Sequence, residues 1–237
     1  MTNRTEHRQT HDGVALSHLA LDDGGRAARA GVVIFPSVMN RGPVEEDHGE
    51  RLVALGYSVL LADTFGAELI GRDRDTMFGE MNRNLEDRAA YVQRLSAILD
   101  FAKALPAFDS GRVAVMGFCF GGLCALYLAR SGADFQVAAA FHGLLKPPNF
   151  ATGKIIPKVV AFHGWDDPMA PPEDVVALGQ ELTEAGCDWQ IHAYGHVGHG
   201  FTNPQAHQIG IAGVEYNEAA ARRSWASLNL FLDELFG

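Results

Sequence analysis

The 237-residue sequence has few cysteines, no long apolar run and a deficit of basic side chains. Its three cysteines are an odd number without disulfide-framework or zinc spacing, which favours a reducing compartment. The polar N-terminus has no apolar core of signal-peptide length, and no run reaches the roughly 18 residues needed to span a bilayer. These absences predict a cytoplasmic protein that is neither exported nor inserted into a membrane.

The scarcity of positive charge also limits the class of partner. The chain has 19 Lys and Arg against 29 Asp and Glu, for a formal net charge of -10. Binding to nucleic acid needs a concentrated basic surface, so the composition disfavours it and leaves a small molecule as the expected partner. The sequence gives no indication of oligomeric state.

Short apolar runs alternate along the chain with stretches of helical period. Strands are predicted at 31–35, 57–62, 112–116, 136–141, 158–163 and 189–194, with a weaker edge strand at 14–20. Helices are predicted at 44–55, 85–105, 119–130, 172–185 and 216–236. This alternation predicts one α/β domain over residues 1–237, with a mostly parallel twisted sheet and helices on both faces.

Residues 64–84 fit neither period. The interval contains three glycines and mixes Arg72, Arg74 and Arg83 with large apolar side chains. A loop of this length is often a lid or a binding loop, and a solvated excursion explains the arginines equally well.

The most informative motif is Gly-Phe-Cys-Phe-Gly-Gly at 117–122, between a predicted strand and a predicted helix. A sharp strand-to-helix reversal forces its central residue, Cys119, into an unfavourable backbone region, and small neighbours permit the turn. The positive end of the helix dipole then favours a thiolate. The motif therefore predicts a nucleophile elbow, with a buried structural cysteine as the alternative.

A cysteine nucleophile needs a base and a group that orients the base. In α/β-hydrolases the chain order is nucleophile, acid, histidine. The turn at 163–171 follows a predicted strand, at the sheet edge where open sheets bind ligands, and carries two aspartates. Asp167 is the preferred acid because Pro168 fixes the turn after it, and Asp166 is the alternative.

A glycine-rich loop at 194–201 supplies the candidate base. His199 is preferred because Gly198 and Gly200 flank it and would let its imidazole reach Cys119. A zinc site formed by His192, His196 and His199 is poorly supported, since His192 falls within a strand and no Cys pair or His-Glu helix motif accompanies it. No metal or cofactor is expected.

Four further residues are candidates for the wall of a substrate pocket. Ser37 follows the strand predicted at 31–35. His142 follows a predicted strand, Trp165 lies in the aspartate turn, and Phe201 follows the candidate base. Packing explains His142 and Trp165 at least as well.

Taken together, these motifs resemble the dienelactone hydrolase family of α/β-hydrolases. The resemblance rests on the elbow at 117–122, the turn at 163–171 and His199-Gly200-Phe201, and it covers nearly the whole chain. It implies the α/β-hydrolase fold and a cysteine nucleophile acting on an ester or lactone.

The resemblance also implies a role for each residue. Cys119 would attack the carbonyl carbon, His199 would shuttle the proton and Asp167 would hold the imidazole. The backbone amides of Phe120 and Val38 would bind the oxyanion, and a thioester would form and then be hydrolysed.

The sequence departs from the family's namesake members at two places. Ser37 stands where they carry a glutamate that interacts with the resting cysteine, and Asn203 and Pro204 stand where they offer an arginine to the substrate carboxylate. We therefore expect hydrolysis of a small, less acidic ester or lactone. The alternative is a non-catalytic binding or sensing module on the same fold.

Overall fold

A computed structural model describes residues 2–237. The strands are β1 (Asn3–His11), β2 (Val14–Asp22), β3 (Arg29–Phe35), β4 (Ser58–Leu61), β5 (Phe108–Phe118), β6 (Val137–Phe141), β7 (Lys158–Gly164) and β8 (Trp189–Tyr194). The helices are α1 (Pro43–Ala54), α2 (Arg74–Glu86), α3 (Arg88–Lys103), α4 (Phe120–Arg130), α5 (Pro172–Glu184) and α6 (Glu218–Phe236).

All eight strands form one sheet in the order β1-β2-β4-β3-β5-β6-β7-β8. The first two strands form an antiparallel pair, and β2 also runs antiparallel to β4. Every other neighbouring pair is parallel. The predicted α/β-hydrolase architecture, a mostly parallel sheet covered by helices, is confirmed.

The sheet separates two apolar cores, because successive side chains of a strand point to opposite faces. In β3, Val32 and Ile34 pack on the face covered by α1 and α6, where Trp225 is buried. Val33 and Phe35 pack on the other face, against α3, α4 and α5. Both faces of the central strands are therefore apolar, as the continuous hydrophobic runs predict.

The strand predicted at 14–20 is present, but its predicted place at the edge of the sheet was wrong. Residues 14–20 lie within β2, which is an inner strand because β1 pairs with it along Asn3–His11. The side chains of β1 are largely exposed and polar, so its sequence shows no apolar alternation. Charged side chains are typical of an edge strand, where they discourage pairing with another chain.

Two predictions between residues 64 and 105 also need correction. The interval 64–84 is not an irregular loop throughout, because α2 begins at Arg74 after Asp73 accepts a hydrogen bond from the Thr76 amide at 3.1 Å. The single helix predicted at 85–105 is interrupted at Asp87, whose carboxylate accepts from the Ala90 amide at 3.0 Å and starts α3. The apolar residues keep their helical spacing across Asp87, so the sequence pattern did not indicate the break between the two helices.

The parallel strands place their carboxyl ends at one edge of the sheet. Cys119 follows β5, Asp167 follows β7, and His199 lies in the loop after β8. Separately, no helix among residues 2–237 combines the length and hydrophobicity needed to cross a membrane.

Candidate active site

The strand-to-helix turn predicted from the glycine motif is present at Cys119. This residue has φ 55° and ψ -115°, an uncommon conformation for a residue with a side chain. Its amide donates to the carbonyl oxygen of Phe141 at 3.0 Å, and its own carbonyl accepts from the Gly122 amide at 3.0 Å. The surrounding hydrogen bonds therefore hold the strained backbone at the start of α4.

Close backbone contacts explain the glycines of the motif. A Cβ atom on Gly117 would lie 2.0 Å from the carbonyl oxygen of Gly121. A Cβ atom on Gly121 would lie 2.0 Å from the carbonyl oxygen of Phe35 and 2.5 Å from that of Pro36. The absence of side chains thus lets the end of β3 pack directly on the first turn of α4.

The structure places His199 against Asp167. The imidazole Nδ1 lies 2.7 Å from Asp167 Oδ2, and both side chains are almost completely buried. The other carboxylate oxygen of Asp167 accepts from the Met169 amide at 2.8 Å. Asp166, the alternative acid, is exposed and lies 3.7 Å from the fully exposed His196, so it has no such relation to His199.

The charges around His199 favour its protonated form. Burial alone disfavours a charged imidazole, but the neighbouring Cys119 and Asp167 side chains outweigh it and raise the pKa of His199 to about 10. The Nε2 atom is buried and has no hydrogen-bond partner of standard geometry among residues 2–237. That nitrogen is therefore available for proton exchange with a substrate or with the sulfur.

A second histidine packs against the first. The rings of His142 and His199 meet edge-to-face with centroids 5.1 Å apart, and His142 Nε2 lies 2.8 Å from Thr202 Oγ1. Burial, and then the neighbouring His199, His48 and His163, hold the pKa of His142 well below its usual range. His142 is thus a neutral, buried residue that contacts the imidazole.

Of the other predicted pocket residues, Ser37 is partly buried and its hydroxyl donates to Glu45, whereas Trp165 and Phe201 differ in exposure. Trp165 is 40% exposed in the turn that carries Asp167. Phe201 is completely buried and packs edge-to-face against His142, with ring centroids 5.1 Å apart. A substrate could therefore reach Trp165 directly, but would reach Phe201 only if its neighbours moved.

A cavity of about 460 Å³ lies next to the loop that follows His199. The residues that line it come from α1, from this loop and from α6, and include His48, Thr202, Asn203, Tyr216 and Trp225. Thr202 also bonds His142, which packs against His199. Two side chains, those of Thr202 and His142, therefore separate the cavity from His199.

The predicted oxyanion donors lie on two adjoining segments. Phe120 is the first residue of α4, so its amide has no acceptor within the helix. Val38 is buried in the segment between β3 and α1. The contact of Gly121 with Phe35 and Pro36 holds the start of that segment against α4.

One buried carboxylate in this region was missed from the sequence. Glu45 is 6% exposed, and its Oε1 accepts from the Ser37 amide at 3.3 Å and from the Ser37 hydroxyl at 3.1 Å. Its Oε2 accepts from the Gly42 amide at 3.2 Å. Glu45 bonds back to the amide of the N-cap residue Gly42, but glycine lacks the side chain that makes a capping box recognisable in a sequence.

The zinc alternative lacks a ligand set. No group of three or more His, Cys, Asp or Glu side chains suited to a metal ion occurs in the part of the chain that the structure describes. His196 is fully exposed, and the His192 ring packs on Phe162 with centroids 5.2 Å apart.

Comparison with known proteins identifies the family. The model of the dienelactone hydrolase family matches residues 20–236. Carboxymethylenebutenolidase 1 of Cupriavidus pinatubonensis is 29% identical over 177 residues, which are 72% of this chain and 74% of the relative.

Solved structures give the same result. The dienelactone hydrolase-like promiscuous phosphotriesterase P91 from metagenomic libraries superposes with a TM-score of 0.94 at 33% identity, covering 100% of this chain and 99% of that one. The α/β hydrolase MGS-M1 from a deep-sea metagenome shares the fold, with a TM-score of 0.67 at 20% identity over 98% of each chain.

Proposed function

Because the chain belongs to the dienelactone hydrolase family, we propose that it hydrolyses small carboxylic esters or lactones with Cys119 as the nucleophile. The observation that carries this proposal is the 2.7 Å contact of His199 with Asp167, at the same sheet edge as the Cys119 elbow. A base held by a carboxylate and a nucleophile in a strained turn are the parts that acyl transfer requires.

In the first half of the reaction, the Cys119 sulfur attacks the carbonyl carbon and forms a C–S bond. The carbonyl π electrons move to oxygen, and the amides of Phe120 and Val38 bind the resulting oxyanion. When the tetrahedral intermediate collapses, the bond to the leaving oxygen breaks and His199 Nε2 gives that oxygen its proton. The products are a thioester and an alcohol, which stays attached to the acyl group when the substrate is a lactone.

In the second half, water attacks the thioester and His199 removes its proton. The C–S bond then breaks, the acid is released, and Cys119 returns to its thiolate. Asp167 keeps the imidazole in the orientation that presents Nε2 throughout, because its Oδ2 accepts from Nδ1. The net reaction consumes one water for each ester or lactone bond.

The thiols of the chain permit a direct test. Iodoacetamide should label Cys119, which is partly exposed, before Cys124, which is buried and whose pKa burial raises to about 12. Labelling should abolish hydrolysis across a panel of short acyl esters and lactones, and Cys119→Ala should do the same. Cys124→Ala is the matched control and should keep its activity.

The mass of a trapped acyl-enzyme identifies both the nucleophile and the acyl group. Retained hydrolysis in Cys119→Ala would refute the proposal. Saturable ligand binding without turnover on any member of the panel would instead support the non-catalytic alternative. A phosphotriester belongs in the panel because P91 is described as a promiscuous phosphotriesterase.

A further inference from the structure

Glu45 is a buried acid for which the reaction above provides no role. It is the third residue of α1 and is 6% exposed, whereas the next residue, Glu46, pairs with Arg4 at the surface. Burying a carboxylate is costly unless donors compensate it. Glu45 has such donors: the Ser37 amide, the Ser37 hydroxyl and the Gly42 amide.

These donors lie at the two ends of one loop, residues 37–42. The Glu45 carboxylate therefore joins the start of the loop to its end. Burial raises the pKa of Glu45, and the amide and hydroxyl donors oppose that rise because they bond best to the ionised carboxylate.

A second set of contacts fixes the middle of the loop. Asn40 has a φ of 63°, and its amide donates to the Ser37 carbonyl oxygen at 3.0 Å. Its side-chain nitrogen donates to Asp63 Oδ1 at 2.8 Å, and both residues are buried. Val38 lies between the two points that Glu45 and Asp63 hold.

The loop begins where β3 packs on the elbow. The carbonyl oxygens of Phe35 and Pro36 approach Gly121 so closely that a Cβ atom there would overlap with them. This contact fixes the base of the loop relative to Phe120, but it does not fix the orientation of the Val38 amide. That orientation depends on the hydrogen bonds made by later residues of the loop. Two sets of bonds reach Ser37, the residue immediately before Val38: the Asn40 amide donates to its carbonyl oxygen, and its own amide and hydroxyl donate to Glu45.

We propose that Glu45 is a positioning residue that holds the Ser37–Val38 backbone so that the Val38 amide points at the developing oxyanion. The inference rests on the proposed function, because it concerns the oxyanion of that reaction. Oxyanion donors act through their fixed geometry, and displacement of one donor by about 1 Å costs roughly 10- to 100-fold in rate. Glu45 acts through Val38 and does not touch the substrate.

The main test is Glu45→Gln, with Glu46→Gln as the matched control on the same helical turn. We expect kcat to fall by about 10- to 100-fold in Glu45→Gln, with KM within about twofold of wild type, because only an interaction of the transition state is weakened. Glu46→Gln should keep wild-type kcat and KM. Circular dichroism and the yield of trapped acyl-enzyme establish that each variant is folded and competent.

A transition-state analogue separates positioning from a merely structural role. A trifluoromethyl ketone forms a tetrahedral adduct with the cysteine sulfur and carries an oxyanion. Its affinity should fall in Glu45→Gln by about the same factor as kcat/KM. Loss of stability alone would lower the active fraction and leave the inhibition constant of the active fraction unchanged, and that result would overturn the proposal.

Ser37→Ala provides a second variant in case Glu45→Gln does not fold. It removes the hydroxyl donor to Glu45 and keeps the carboxylate and both amide donors, so we expect a fall in kcat of about 3- to 10-fold and a parallel loss of inhibitor affinity. Wild-type values for both constants in this variant would also overturn the inference. Activity that depends on Cys119 but not on Glu45 or Ser37 would refute only this inference, whereas activity without Cys119 would refute the proposed function.

Discussion

His199 donates a hydrogen bond from Nδ1 to Oδ2 of Asp167 across 2.7 Å, since an ionised carboxylate can only accept. Replacing Asp167 with Asn removes the negative charge. It also faces Nδ1 with an amide whose NH2 group can donate to that nitrogen, which would hold the imidazole in the wrong tautomer. We therefore expect kcat of Asp167→Asn to fall by about 10²- to 10⁴-fold on the best ester of the panel. Steady-state kinetics with a folded variant measure the loss.

The neighbouring aspartate is the control for that prediction. Asp166 is exposed, and its nearest basic group is the exposed His196 at 3.7 Å. Asp166→Asn should therefore leave kcat within about twofold of wild type. Equal losses in the two variants would contradict the assignment of Asp167 as the orienting acid.

The pKa of His199 should depend on Cys119. Burial disfavours the imidazolium, and the thiolate of Cys119 is the largest of the influences that raise the pKa to about 10. Cys119→Ala removes that charge and leaves Asp167, so the pKa of His199 should fall. Titration of ¹⁵N-labelled imidazole by NMR, in wild type and in Cys119→Ala, measures both values. An unchanged pKa would contradict a close Cys119–His199 pair.

The glycine at the elbow should not tolerate a methyl group. In Gly121→Ala the added Cβ would lie 2.0 Å from the Phe35 carbonyl oxygen, and backbone cannot move aside as a flexible side chain can. We expect a loss of roughly 3 kcal/mol or more in the free energy of unfolding. Gly79→Ala, in α2, meets nothing within 4 Å and should stabilise by about 0.5–1 kcal/mol. Urea denaturation of both variants tests the contrast.

The parts of the fold predicted well are those with strong local patterns. The runs that became β3 and β5 are apolar on both faces. Gly117 is required by its backbone contact with the first turn of α4, and Gly121 by its contact with the end of β3. The pairing of Asp167 with His199 followed from chain order and from the parallel sheet, which brings the ends of β7 and β8 to one edge.

The parts that were missed depend on contacts the local pattern does not record. β1 is held by backbone pairing with β2, so its polar side chains gave no signal. Glu45 looks like one of several acids in the first turn of an exposed helix, and only the fold reveals that its partners are Ser37 and Gly42. Burial of a polar group is a property of the tertiary structure, and sequence period alone does not predict it.

Acid should destabilise the fold through His48. Burial lowers the pKa of His48 to about 4, so the folded chain binds this proton at a lower pH than the unfolded chain does. The stability that is present above about pH 6.5 is therefore lost as the pH falls toward 4. His48 stacks on Phe118 with ring centroids 4.4 Å apart, and His48→Phe should keep that contact without the titration. The free energy of unfolding of the variant minus that of wild type should therefore increase by about 2 kcal/mol when the pH is lowered from about 7.5 to 5. Urea denaturation at both pH values measures the gain, and parallel losses in the two proteins would show that His48 is not the group responsible.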